Sequence, residues 1–470
     1  MKKLFSIIVV AFVFTFTIFA KEQIGTCNEN VYKVGLIQKN IPVCLFFEEE
    51  QGLISTIKKY YIKIGDNNFG PYDSINSWLF TSDKIIYTAK QDERYGLFIN
   101  GINVDFYKGI SNFFISNDKQ TLIYAFENET GVYIKSGQKE IGPFDGIKYF
   151  LVYDDKVISY AVKEKSKFYI YTENNKYGPF DDVSDWKYQE NSYAYKVENN
   201  NKQYIYTANG LLAGPFDTLY LKCFSNDGSL LAYETIKDDK TSKSIPGIIS
   251  TLWVNNKKIE EGWLISYVDF TNENEIIYSI SYNNKPGIII KYGKKEFGPF
   301  IQVRDVALSN DKKILAYAYS YDYAPNEQYY LCVGNEKAGP YEDMYHISFS
   351  PNNNTLAYII KENNNYFLIC NQKKYGPYES IFDIVFADDG KKFVYTTDKD
   401  YKDYVLHVDD FSSKSYDFIT NVYFKNNVIH YSTEKDGIYY NRIILNNKEF
   451  VGNYMNEHLI YIEDGKIFIK

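Results

Sequence analysis

Catalytic and metal chemistry rests mostly on histidines, cysteines and paired carboxylates, and here these are few and scattered. The four histidines are His346, His407, His430 and His458. None stands in His-x-His or His-Glu-x-x-His, the spacings that aim two imidazoles at one zinc ion. His346 follows Met344-Tyr345 in a strand-like run and His430 directly precedes Tyr431, so both read as packing or surface residues. Asp181-Asp182 and Asp409-Asp410 are adjacent carboxylates in turn-like sequence, which explains them without a metal. No Gly-x-Ser-x-Gly elbow, phosphate-cradling glycine loop or Asp-x-Asp-x-Asp-Gly calcium loop occurs. The residues therefore imply no cofactor, no metal site and no assignable catalytic group.

Five cysteines, an odd number, rule out complete internal pairing. Cys27 and Cys44 lie close together near the start and are a candidate disulfide, which an exported chain permits. Cys223, Cys332 and Cys370 sit in apolar strand patterns such as Tyr-Leu-Cys332-Val and read as small buried hydrophobes. The beginning of the chain supports export. Lys2 and Lys3 precede an apolar run from Leu4 to Phe19, then Ala20 and the polar Lys21-Glu22-Gln23. This is the order of a secretory signal peptide cleaved after Ala20, with an uncleaved anchor as the alternative. After cleavage no segment is apolar enough to span a membrane. The net charge is -8 and there are three arginines, Arg94, Arg304 and Arg442. Without Arg forks or a basic patch, nucleic acid is not an expected partner.

The elements that would hold any site are announced by a repeated phrase, Gly-Pro-aromatic, in most copies followed by an acid. It reads Gly70-Pro71-Tyr72-Asp73, Gly142-Pro143-Phe144-Asp145, Gly178-Pro179-Phe180-Asp181, Gly214-Pro215-Phe216-Asp217, Gly298-Pro299-Phe300, Gly339-Pro340-Tyr341-Glu342 and Gly376-Pro377-Tyr378-Glu379. The first interval is 72 residues and the next two are 36 each, which marks a repeat architecture. Between copies runs a polar turn followed by an apolar stretch ending in tyrosine, as in Ser225-Asn226-Asp227-Gly228 before Leu231-Ala232-Tyr233. Equivalent tyrosines are Tyr87, Tyr124, Tyr160, Tyr195, Tyr278, Tyr317, Tyr358, Tyr395, Tyr431 and Tyr461. Residues from Gly142 to Tyr177 parse into four short strands separated by Asn, Asp, Gly and Lys turns, a meander. Proline cannot donate to a sheet, so the phrase belongs on an outer edge strand. Its acid suits the turn into the next unit. Trp78 and Trp186, eight residues after their glycines, align with Phe150, Val306, Ile347 and Ile384 and read as packing between units.

The element Ser-Asn-Asp-Gly…Leu-Ala-Tyr resembles the Ser-Pro-Asp-Gly…Ala-Tyr signature of WD-like β-propeller repeats of the TolB type. The resemblance covers roughly residues 46 to 470, and only Ser225 to Gly228 comes near the full signature. It implies an all-β propeller of about twelve four-stranded repeats of roughly 36–40 residues. Twelve exceeds the usual four to eight blades of one ring, so two tandem rings of six are expected, with five plus seven or one open or irregular ring as the alternatives. The expected division is 1–20 signal peptide, 21–45 an N-terminal segment lending a ring-closing strand from Val31 to Phe47, 46–262 a first propeller, and 263–470 a second. The longest tyrosine interval, Tyr233 to Tyr278, contains the polar loop Lys237 to Gly247, read as an insertion in the sixth blade. No length remains for the extra domain that accompanies TolB propellers or for the hydrolase domain of prolyl-oligopeptidase-type enzymes.

The favoured function is a non-enzymatic binding or scaffold protein, exported to the periplasm, the cell surface or the medium. Its loops would engage a protein, peptide or glycan of the cell envelope. The alternative is a hydrolase or lyase whose carboxylates, Asp185, Asp305 and Asp383, converge in a central funnel.

Overall fold

Short apolar runs broken every few residues by turn formers can satisfy their backbone groups only by pairing with the next run, which gives antiparallel meanders. The computed structural model describes residues 22–26, 30–38, 41–51, 56–81, 83–116, 121–153, 156–190, 192–239, 247–282, 285–323, 325, 327–353, 355–408, 411–425, 428–435, 438–445, 448–455, 458–463 and 466–469. Ala20, Cys27 and Asp409-Asp410 lie outside them. All the regular elements among the described residues are strands, and no helix there is long and apolar enough to cross a membrane.

Ten sheets have four strands each, paired in chain order, over residues 31–72, 74–107, 109–144, 146–180, 182–216, 218–262, 264–300, 302–341, 343–378 and 380–412. These are blades 1 to 10. Residues 418–455 form blade 11, and its sheet continues through His458–Glu463 and Lys466–Ile469 to Glu22–Thr26, seven strands in all. The chain is thus an all-β propeller of eleven blades. The expected twelfth tyrosine unit is fused to the eleventh. Strand Lys448–Met455 pairs with blade 11 through Lys448 to Val451, and with the Tyr461 strand through Gly452 to Met455.

Two tandem rings find no support. Blade 6 meets blade 7 as its neighbours meet one another, with the third strand Gly247–Val254 against the next first strand Leu264–Phe270. No break falls near Gly262 to Tyr267. Blade 1 in turn packs its first strand Val31–Ile37 on Ile438–Leu445 and Lys448–Met455, so the succession of blades closes on itself. The long interval after Tyr233 is a hairpin extension within blade 6, paired from Ala232–Val254 out to Asp239–Gly247, and it divides no core. The closing strand also differs from expectation. Val31–Ile37 and Ile41–Gln51 are the first two strands of a complete blade 1. Every residue of Val31–Ile37 is buried, which an outer closing strand could not be. Closure falls instead to Glu22–Thr26, antiparallel to Lys466–Ile469, with Glu22 opposite Ile469 and Thr26 opposite Lys466.

Each repeat tyrosine from Tyr87 to Tyr431 lies on the second strand of its blade. Tyr87, Tyr195, Tyr233 and Tyr431 are among the largest fully buried side chains, wedged between sheets where aromatic area stabilises most. In blade 1 the register puts buried Cys44 at the same place, opposite Lys63.

The Gly-Pro phrase occupies the fourth, outermost strand, as expected, and all seven of its Gly–Pro bonds are cis. It forms a bulge against the third strand. Phe168 pairs with Phe180 and Ile170 with Tyr177, leaving Gly178-Pro179 opposite one residue. Gly178 has φ +129, and a Cβ there would lie 2.8 Å from the Phe168 carbonyl oxygen, so only glycine fits. The acid then reaches into the following blade. Asp73 Oδ2 accepts the Asp92 amide at 3.0 Å, Asp145 the Lys165 amide at 2.6 Å, Asp181 the Asn200 amide at 2.8 Å, and Glu342 the amides of Asn363 and Asn364. Lysines of the preceding blade, Lys59, Lys167 and Lys202, pair with Asp73, Asp181 and Asp217. The best-kept string in the chain is therefore a clasp between blades.

Candidate binding site

The polar turn of the second motif is also structural. Ser225 Oγ donates to Asp227 Oδ1 at 2.6 Å and accepts the Leu230 amide at 3.0 Å. Asn274 Nδ2 of the next blade donates to Asp227 Oδ2 at 3.0 Å. Ser309-Asp311 and Ser350-Asn352 repeat the inner bond at 2.6 and 2.8 Å. These hydrogen bonds hold the Asp227 carboxyl far below the usual range.

The three carboxylates considered for a funnel sit on the first strands of blades 5, 8 and 10, and each has a local partner. Asp185 Oδ1 accepts the Trp186 amide at 2.8 Å. Asp305 takes the Val306 amide and, across to blade 9, the Ile347 amide at 2.7 Å. Asp383 accepts from Thr396 Oγ1 at 3.4 Å. Asp181 and Asp182 likewise bind lysines of the preceding blade, Lys167 and Lys148. Among the described residues no three His, Cys, Asp or Glu side chains are grouped so as to hold a metal ion.

The histidines are spread through blades 9, 10 and 11 and the end of the terminal sheet. His346 is half-buried at a first-strand bulge with φ 58. His407 has Nε2 2.8 Å from Thr397 Oγ1 and Nδ1 3.0 Å from Ser412 Oγ, and stacks on Tyr395 at 4.9 Å. Burial pushes it down to about 4. His430 is buried and stacks on Tyr423. The side chain of His458 lies outside the described residues. Cys44 is disulfide-bonded. Cys223, Cys332 and Cys370 are free thiols, and burial pushes Cys223 up to about 12 and Cys370 up to about 11.

What the repeats do not consume is an aromatic cleft at one end of the first strands of blades 3, 4 and 5. Phe114 lies next to the end of the strand Gly109–Ile115, Tyr153 ends Gly146–Tyr153, and Tyr188 lies next to the end of Asp182–Gln189. They are 43%, 39% and 63% exposed, whereas the interior of each blade is packed. With Phe150, Ile158 and Trp186 they line a cavity of about 120 Å³. Phe114 meets Phe150 edge-on at 5.6 Å, and Trp186 stacks under Tyr188 at 5.3 Å with 20° between planes. Behind them Tyr149 contacts Trp186 at 5.8 Å and stacks on Tyr195 at 5.6 Å. Tyr195 donates to Ser159 Oγ at 3.0 Å. The exposed rings are thus backed by a fixed aromatic layer, and little entropy remains to be lost when a partner settles on them.

Phe150, Val306, Ile347 and Ile384 are buried as their common spacing suggests. Trp186 departs from that role, because it both packs in the core and floors the cleft. The cleft was not visible in the sequence. Ten residues after the glycine, Phe80, Phe224, Phe349 and Phe386 stand where Tyr188 does, yet those are half-buried.

No protein-family model matches the sequence, and no curated protein matches it. Solved structures do match, at low identity. The chain is similar to the β-propeller domain of the Trilobed protease from Pyrococcus furiosus, at 12% identity and a TM-score of 0.32, over 57% of this chain and 96% of that one. It is similar to the tricorn protease at 9% identity and a TM-score of 0.31, over 94% of this chain and 59% of that one. A putative dipeptidyl aminopeptidase IV from Bacteroides ovatus aligns at 12% identity and 0.34, over 70% and 65%. At such identities nothing about activity transfers.

Proposed function

We propose that this chain is an exported, non-enzymatic binding protein that grips an apolar side chain of a peptide or protein partner in the cleft of blades 3 to 5. The observation that carries the reading is the set of three uncovered aromatics, Phe114, Tyr153 and Tyr188, around a rigid cavity of about 120 Å³. That volume is below the roughly 300–1,000 Å³ of sites that enclose whole small molecules, and it suits one anchoring side chain of a larger partner. Exposed aromatics backed by packed neighbours are the usual anchors of such contacts. Export belongs to the same proposal. Cleavage after Ala20 would start the mature chain at Lys21, immediately before the strand Glu22–Thr26 that closes the terminal sheet. A Cys27–Cys44 bridge would then hold the base of that strand. The hydrolase reading has no observation that favours it.

A phage-displayed random peptide library panned on the purified chain should yield binders with a shared aromatic or aliphatic anchor. Phe114→Ala/Tyr188→Ala should weaken them about 30-fold or more, as expected for loss of two anchors worth 1–2 kcal/mol each. If no peptides are enriched, or those enriched bind the double variant equally, the cleft is not the site.

A further inference from the structure

The residue before each Gly-Pro phrase helps close the gap to the following blade, and in blade 8 it is too small to do so. Five copies carry a large side chain there: Phe69, Ile141, Tyr177, Phe297 and Tyr375. Phe297 of blade 7 lies 5.6 Å from Tyr317 of blade 8. Tyr375 of blade 9 lies 5.5 Å from Phe393 and 6.0 Å from Tyr395 of blade 10. Each ring covers the repeat tyrosine of its neighbour. Blade 8 has Ala338 at that place, so Tyr358 of blade 9 receives no ring from it.

Blade 9 does not make up the loss. The third-strand residue opposite the repeat tyrosine is Phe98 in blade 2, Tyr171 in blade 4 and Trp253 in blade 6. These stack on their tyrosines at 5.0, 4.8 and 6.2 Å. Ala213 is the other alanine before a phrase, and there Trp253 and Leu212 pack into the same cluster. Opposite Tyr358 stands aliphatic Ile369. Nine of the eleven repeat tyrosines are buried, whereas Tyr358 is half-buried. The other half-buried one, Tyr160, is the one that carries Tyr171.

The result is a cavity of about 390 Å³ between blades 8 and 9. Its inner walls are Leu331, Val333 and Ala338 of blade 8 and Leu356, Tyr358 and Ile369 of blade 9, all buried or half-buried. Exposed Glu336, Lys337, Asn371 and Gln372 form its rim. Asn371 Oδ1 accepts from Thr355 Oγ1 at 3.0 Å, which holds that amide in place. Packed interiors seldom leave voids larger than a water molecule, and apolar cavities take up hydrocarbon rings in preference to water. The volume falls within the roughly 300–1,000 Å³ of sites that enclose small molecules. The group that blades 7 and 9 supply at this place, a Phe or Tyr ring, indicates the shape that fits. The rim amides suit a hydroxyl on that ring, and Glu336 beside Lys337 leaves no single charge to select an ion.

We propose that the gap between blades 8 and 9 binds a small neutral phenol. Its ring lies against Tyr358 in place of the side chain that Ala338 lacks, and its hydroxyl meets the amides of Asn371 and Gln372. The site is separate from the cleft of blades 3 to 5, so each can fail without the other.

Ligand-observed NMR titration of the full chain with p-cresol tests it, because p-cresol is a tyrosine side chain without its backbone. A Kd of about 1 mM or tighter is expected. Ala338→Phe and Ile369→Phe each restore, from opposite walls, a ring that other blades carry. Each should weaken p-cresol at least about tenfold, and if one does not fold the other decides. Phe114→Ala/Tyr188→Ala should leave the affinity unchanged; loss of binding there would place the ligand in the cleft and overturn the proposal. Methylcyclohexanol, the saturated counterpart, should bind at least about tenfold more weakly, and equal binding would overturn the aromatic preference. No p-cresol binding at about 10 mM, or an unchanged affinity in a folded filler variant, would overturn the site.

Discussion

Replacing Gly178 by alanine should reveal how much stability the Gly-Pro clasp concentrates in one backbone position. At φ +129 a residue with a Cβ occupies a region essentially reserved for glycine, at about 1–3 kcal/mol. The new methyl would also stand 2.8 Å from the Phe168 carbonyl oxygen and 2.8 Å from Tyr169 Cδ1. Relieving that overlap means shifting main chain in the neighbouring strand, at about 1–3 kcal/mol more. The sum is about 2–6 kcal/mol. Two other glycines separate the two causes. Gly334 has φ +58 with nothing within 4 Å, so Gly334→Ala should cost only the left-handed penalty of about 1–2 kcal/mol. Gly146 has an ordinary φ and only the Lys163 Cβ at 3.9 Å. Gly146→Ala should be neutral or stabilising by up to about 1 kcal/mol, through a less flexible unfolded chain. Equilibrium urea unfolding followed by circular dichroism gives the ranking from the midpoints, provided the slopes agree. If Gly178→Ala is no more destabilising than Gly334→Ala, the bulge does not constrain the blade edge as argued.

Two further outcomes are expected. His430 has an ordinary value of 6.5 and is pushed down to about 4, first by burial and then by Lys425. The fold therefore holds it neutral. Its contribution is complete above pH 6.5 and is lost as pH falls from 6.5 toward 4, by at most about 3 kcal/mol. His430→Gln should flatten the stability profile in that window, and an unchanged slope would mean that the imidazole is not desolvated. Thiol titration of denatured, unreduced protein should find three groups, Cys223, Cys332 and Cys370, rising to five after reduction. Five before reduction would remove the Cys27–Cys44 bridge.

The sequence by itself determined the blade. The recurrence of Gly-Pro phrases and buried tyrosines requires four-strand meanders, because each position has one local physical reason. Pro179 lacks a donor and is suited to an edge, Gly178 fits beside a carbonyl where no Cβ can, and Tyr195 buries its ring between sheets. Such reasons act over one unit and its neighbour, so they are legible at short range. How many units close, and with which strand, is a long-range matter. Glu22–Thr26 pairs with Lys466–Ile469 across almost the whole chain, and nothing in either segment names the other. The same limit hid both candidate sites. Tyr188 is exposed and Phe386 is half-buried at equivalent positions of the repeat, a difference the repeat pattern does not carry. Ala213 and Ala338 look alike in the sequence, but the next blade brings Trp253 to the first and only Ile369 to the second. Repetition fixed the parts, and the tertiary closure decided which few side chains were left for binding.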